Sequence, residues 1–205
     1  MANVSSPELK NILLNVRKSY RLLFEYQQKV FNTIQFIGDT LSKNINSGYT
    51  IFGNTSQLNT GRINNKSWVW LNFYLYEVYF NDLILEHDVI KFAIEVVSDI
   101  GFFDAHADIE KMDVKSFASC EESKTKLIFI VGKNCWKPKD FNEDNDIFKA
   151  HGITEYVKGN DENGEIFMAK SYDLENFANE DYITAQLNDF ISFCLMNGVN
   201  DFKLI

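Results

Sequence analysis

The chain has little proline, few cysteines and no apolar run long enough to cross a membrane. Two prolines among 205 residues argue against long irregular linkers. Cys120, Cys135 and Cys194 show no metal-ligand spacing, and we interpret them as free thiols in a reducing cytoplasm. The apolar run Ser67–Phe80 has 14 residues, fewer than the ~20 that a membrane-spanning helix needs. No secretory signal is visible, so we expect a cytoplasmic protein.

Motifs of several large enzyme classes are also missing. The sequence has no nucleotide-binding glycine loop, no zinc signature, no serine-hydrolase elbow and no internal repeat. The net charge of −9 argues against non-specific binding of nucleic acid by the whole surface. This charge is uneven along the chain: residues 1–66 carry +5, residues 67–110 −8, residues 111–139 +4 and residues 140–205 −10. A local anion-binding site is still compatible with the two basic segments, residues 1–66 and 111–139.

An aromatic stretch, Ser67–Phe80, stands at the centre of the predicted fold. Its odd-numbered and its even-numbered positions are both mostly apolar, so both faces of the strand would be apolar. This is typical of an inner strand covered on both faces. Trp68, Trp70, Tyr74 and Tyr76 then pack in the core. If no helix covers the second face of the sheet, the same rings form an exposed patch for a ligand or a partner protein.

The N-terminal segment predicts one long helix. Apolar residues recur every 3.5 positions on average over about 33 residues, with Gln27 as the polar member. The repeat comprises Leu9, Leu13, Val16, Tyr20, Leu23, Gln27, Val30, Ile34, Ile37 and Leu41. A helix of this length spans roughly 50 Å, so it either breaks near Gly38 or packs partly on something beyond the domain. Two interpretations follow: a core helix lying across the sheet, or a dimer seam with Gln27 setting the register.

The remaining elements predict an α+β fold, with a central, mostly antiparallel sheet between a long N-terminal helix and a C-terminal helix. We expect a single domain over 1–205, made of the helix in 1–43, the sheet with its loops in 44–178 and the helix in 179–197. One face of the second strand carries Lys91, Ala93 and Glu95 and is predicted to be the wetter face. Besides Ser67–Phe80, the predicted strands are Tyr49–Phe52, Val89–Val97, Lys126–Val131, Ile153–Val157 and Glu165–Ser171.

The function that this profile favours is non-enzymatic binding of another macromolecule, most simply a protein, through an acidic surface. No cofactor is expected, and the profile suits a bacterial immunity, antitoxin or phage-conflict factor. The acidic surface is predicted at Asp140, Glu143, Asp144, Asp146, Asp161 and Glu162. The N-terminal repeat further predicts a homodimer along Leu9, Leu13, Val16, Tyr20 and Leu23.

The alternative hypothesis is a metal-dependent phosphodiester hydrolase of the nuclease type. Asp104, His106 and Asp108 alternate along the chain, so in an extended segment they point to one side and could bind Mg²⁺ or Mn²⁺. Glu122 is a further predicted ligand, and Lys124 is predicted to stabilise developing negative charge. The Glu-x-Lys pair after an aspartate resembles the local pattern of restriction-nuclease-like sites, although it precedes the apolar strand here instead of lying within it. The +4 segment would then contact the nucleic-acid backbone.

Overall fold

A computed structural model describes residues 6–50, 75–101, 118–136, 155–160 and 164–204. The predicted N-terminal helix is one continuous element, α1 (Ser6–Thr40, 35 residues). The helix does not break at Gly38. A Cβ added there would lie 2.7 Å from the carbonyl oxygen of Lys43 and 2.9 Å from Cε1 of Phe80, so glycine permits close approach of the chain to the helix.

Seven strands form a single antiparallel sheet within the described part of the chain. Their order in the sheet is β1-β2-β4-β5-β7-β6, and β3 pairs with β4 at the side. Leu75–Phe80, the described part of the predicted aromatic strand, is an inner strand, as expected. The strands are β1 (Ile45–Thr50), β2 (Leu75–Phe80), β3 (Leu83–Ile84), β4 (Val89–Val97), β5 (Lys126–Lys133), β6 (Glu155–Asn160) and β7 (Glu165–Asp173).

The end of the chain closes the fold with a 3₁₀ turn (Leu174–Phe177) and helix α2 (Glu180–Met196). The side chain of Asn179 caps α2 by accepting a hydrogen bond of 3.0 Å from the backbone N–H of Tyr182. The long N-terminal helix, the C-terminal helix and the antiparallel sheet together confirm the predicted α+β class.

Both helices pack on one face of the sheet. Alternate residues of β4 and β5 meet α1 and α2 there, and the aromatic rings of Phe92 and Phe129 lie 5.9 Å apart at the centre. Phe31 of α1 contacts Tyr76 edge-to-face at 5.8 Å, which makes Tyr76 a core residue. Trp68, Trp70 and Tyr74 lie outside the described residues.

The opposite face of the sheet is less polar than predicted. Ala93 and Glu95 of β4 are fully buried, and only Lys91 near the end of the strand is partly exposed. Ala93 belongs to a second apolar cluster with Ile130 and Ala169 on the neighbouring strands. The prediction of a wetter face was therefore wrong at Ala93 and Glu95, because an inner strand of a broad sheet is covered even where its sequence is charged.

Candidate functional site

The predicted metal site can be examined at two of its five residues. Glu122 lies in an exposed turn, where its backbone N–H donates to the carbonyl oxygen of Ser119 at 3.1 Å. Lys124 donates to the carboxylate of Asp173, which also pairs with Lys126 at 3.6 Å. This hydrogen bond raises the pKa of Lys124, so the amine stays charged. Asp104, His106 and Asp108 lie outside the described residues, and among those described no group of three His, Cys, Asp or Glu side chains could hold a metal ion.

The predicted acidic binding surface lies wholly outside the part of the chain that the structure describes. This applies to all six of its members: Asp140, Glu143, Asp144, Asp146, Asp161 and Glu162. The surface therefore stays a prediction.

A different surface is prominent among the described residues: the N-terminal half of α1. Every residue of α1 from Pro7 to Leu23 is exposed. We call residues 6–23 the exposed half and its one-sided row of large apolar side chains the apolar stripe. The stripe comprises Leu9, Ile12, Leu13, Val16, Tyr20 and Leu23, with between 44% and 49% of each residue exposed.

The same row of positions is buried in the second half of the helix. Val30, Ile34 and Ile37 continue the 3.5-residue spacing of the stripe and are 0% exposed. Gln27 is also 0% exposed, so it lies within the fold of one chain and not in a seam between two. The stripe is thus a direct continuation of the core-facing side of α1 into solvent.

The boundary between the two halves is fixed by contacts with the sheet and with the segment before α2. The hydroxyl of Tyr26 lies 3.1 Å from that of Ser98, which follows β4. The amine of Lys29 donates to the carbonyl oxygen of Ala178 at 3.3 Å, just before α2 begins. The rest of the described chain, from residue 26 onward, we call the body.

The exposed half also differs from the body in charge. Between Leu9 and Phe24 the sequence has four basic residues and no acidic one. The basic residues are Lys10, Arg17, Lys18 and Arg21, all exposed. The remaining surface of the exposed half also carries Glu8 and two exposed leucines, Leu14 and Leu22. An amphipathic helix with an apolar stripe and an excess of basic charge is a typical docking element for an acidic partner.

A pair of carboxyl groups, of which Glu95 is buried and Glu77 is half-buried, lies on the sheet face away from the helices. Glu95 of β4 is paired directly with Glu77 of β2. Burial raises the pKa of Glu95 well above its ordinary value, and the neighbouring Glu77 raises it further. Burial also raises the pKa of Glu77, against a hydrogen bond from the hydroxyl of Tyr79. The pair could not be predicted from the sequence, because Glu77 and Glu95 lie 18 positions apart and meet only through strand pairing.

A shallow cleft of about 620 Å³ lies at the β4–β5 end of the sheet, beside Trp136. Its polar groups are engaged with one another or with nearby residues. Lys91 pairs with Asp82 at 3.4 Å, and Asn134 donates to Asp88 and accepts from the backbone N–H of Val89. The cleft therefore offers no set of converging polar groups for a ligand among the described residues.

The fold and this surface together define an α+β protein with an exposed amphipathic helix. The chain belongs to the PM0109 family, whose model matches residues 6–197 and so includes the whole of α1. No curated protein and no solved structure matches the chain. Within the described residues, no helix is both long enough and apolar enough to span a membrane.

Proposed function

We propose that the protein is a non-enzymatic macromolecule-binding protein and that the exposed half of α1 is its binding element for another protein. The observation that carries this proposal is the apolar stripe, which continues the core-facing row of α1 but is nearly half exposed. A contiguous exposed apolar surface of this kind marks interaction sites in soluble proteins.

The physical argument is one of helix stability. Most of the stability of a protein helix comes from packing of its apolar face, and the exposed half of α1 lacks this packing within its own chain. Full burial of a leucine or valine side chain contributes about 1.5–3 kcal/mol. A partner that covers the stripe would therefore stabilise the exposed half, with the spacing i, i+3, i+4 and i+7 that helices present to grooves.

The predicted acidic surface from Asp140 to Glu162 is part of the same proposal. It would serve as a second, electrostatic surface, and an immunity, antitoxin or phage-conflict role remains the functional class that we propose on composition. Reversal of its charges should slow association with a partner and weaken the dependence of association on salt.

A photo-crosslinking amino acid at Val16 tests the binding element directly, with Asn11 on the opposite side of the helix as the matched control. We expect covalent adducts with a protein from position 16 and none above background from position 11. Equal labelling at the two positions, or crosslinks from position 16 that stay within one molecule and never join it to a second molecule, would remove the exposed half as a binding element.

The nuclease-type alternative has no observation among the described residues in its favour and stays a prediction. Its test is incubation with single- and double-stranded DNA and RNA in the presence of Mg²⁺ or Mn²⁺. Cleavage that is lost in both Asp108→Asn and Lys124→Ala would replace the binding proposal with a hydrolase.

A further inference from the structure

We infer that the partner of the exposed half is a second copy of this chain, and that two copies exchange helices so that each exposed half lies against the body of the other. This inference rests on the proposed function, since it identifies the occupant of the same surface. The occupant is chosen by charge, by helix length and by the lack of acidic side chains between Leu9 and Phe24.

The charges of the chain are complementary between the helix and the remainder. The exposed half, residues 6–23, has four basic residues and Glu8 and so carries +3, and because the whole chain carries −9, the remainder carries −12. The C-terminal third is the most acidic part, with −10 over residues 140–205. The body alone, counted over its described residues, has 9 basic and 17 acidic residues and so carries −8. One copy therefore supplies a basic apolar helix, and a second copy supplies an acidic body that attracts it.

Pairing of two exposed halves with each other fits these charges poorly. Lys10 and Arg17 directly follow the stripe residues Leu9 and Val16, so they flank any seam that the stripe forms with a second helix. In an antiparallel pair they would face the same basic side chains of the partner helix. In a parallel pair Arg17 would face Ile12, and no acidic residue between Leu9 and Phe24 is available for a salt bridge in either arrangement.

Helix length and symmetry agree with exchange. The exposed half has 18 residues and is about 27 Å long, which approaches the diameter of a small domain. It can therefore lie across the body of a second copy. In a mutual exchange the exposed half of each copy contacts the body of the other copy. The two contacts are identical and are related by a two-fold axis, so the assembly closes as a dimer.

Sedimentation velocity of the full chain at low and high salt tests the inference. We expect a dimer at micromolar concentration that dissociates at least about tenfold more readily at 0.5 M salt than at 0.05 M. Leu13→Ser with Val16→Ser should weaken the dimer at least about tenfold as well. A chain that stays monomeric at several hundred micromolar would overturn the second copy as partner. Val16 adducts with a different protein would still support the proposed function in that case.

The basic side chains separate exchange from helix–helix pairing. A variant with Lys10→Gln, Arg17→Gln, Lys18→Gln and Arg21→Gln should dimerise more weakly if the helix docks on an acidic body. The same variant would dimerise more tightly in a coiled coil, because like charges are removed from the seam, and that result would overturn the exchange. Lys203→Gln, an exposed charge in the body, is the control and should leave the dimer unchanged or slightly tighter.

An anionic membrane is the other surface that attracts a basic amphipathic helix. Flotation with vesicles of phosphatidylcholine and phosphatidylserine distinguishes it from a second copy. We expect no co-flotation, because the remainder of the chain carries −12 and is repelled by the same lipids. The result that would overturn the second copy is a chain that is monomeric in solution, floats with the vesicles, and loses this flotation in the Leu13→Ser, Val16→Ser variant. The apolar stripe would then be a lipid-binding surface.

Discussion

The two halves of α1 carry the same apolar row on the same side of one helix and meet different surroundings. From Gln27 to Leu41 the row lies at between 0% and 6% exposure against the sheet, whereas from Leu9 to Leu23 nearly half of each residue is exposed. The spacing of residues therefore determines which side of a helix is apolar, but it does not determine what covers that side. The 3.5-residue repeat packs on a sheet in one half, so the repeat alone is not diagnostic of a coiled coil.

The two halves of α1 should differ most in the free energy of unfolding that is lost when an apolar side chain is truncated to alanine. Ile34→Ala removes a fully buried side chain and should lower the free energy of unfolding by about 2–5 kcal/mol. Leu13→Ala in the exposed half should change it by less than about 0.5 kcal/mol when measured on dilute, monomeric protein. Urea unfolding of both variants checks the pair. Equal losses would mean that the exposed half is packed within its own chain.

A smaller effect is expected at Gly38, where helix propensity and packing oppose each other. In an open helix, Gly→Ala stabilises by about 1 kcal/mol. Here the added methyl group would lie within 3 Å of both Lys43 and Phe80, so Gly38→Ala should destabilise by about 1–3 kcal/mol. Ser19→Ala in the exposed half is the control and should raise stability by about 0.5 kcal/mol. If Gly38→Ala stabilises the protein instead, the ring of Phe80 must be able to move away from the added methyl group.

The smallest expected effect concerns the pH dependence of stability, which should belong to the body and not to the exposed half. Because the pKa of Glu95 is raised on folding, the folded chain holds its proton more tightly than the unfolded chain does. The resulting stability is fully present below pH 4.5, the ordinary value, and is lost as the pH rises toward the raised value. Glu95→Gln should therefore flatten the fall in stability above pH 4.5 and make the protein more stable than the parent chain at pH 8. Denaturant unfolding between pH 4 and pH 8 measures the slope, and an unchanged slope would show that Glu95 is not the group responsible.

Much of the fold could be predicted because its signals are local. Val89–Val97 matches β4 residue for residue, and the predicted helix over 179–197 differs from α2 by one residue at each end. The predicted strands Ile153–Val157 and Glu165–Ser171 correspond to β6 and β7, which pair as an antiparallel hairpin with Gly164 at a φ of +62° in its turn. The two-residue β3 and the 3₁₀ turn before α2 were not predicted, since neither is long enough to show a period.

The candidate site could be predicted only in part. The stripe residues are visible in the sequence, and so are the basic residues between them. Their exposure was not visible, because it depends on where the sheet ends relative to α1. The break considered at Gly38 did not occur, because the sequence does not show that a methyl group there would clash with Phe80. The burial of Glu95 next to Glu77 likewise depends on strand register, which neither residue reveals alone.

Backbone hydrogen exchange of α1 at two protein concentrations tests the central claim most directly. We predict that amides from Gln27 to Thr40 are protected equally at both concentrations, because the body of the same chain covers them. Amides from Asn11 to Leu23 should be weakly protected in dilute protein and gain protection as the concentration rises and a second copy covers the stripe. Strong protection of Asn11 to Leu23 that does not change with concentration would contradict the account, since the exposed half would then be part of its own fold.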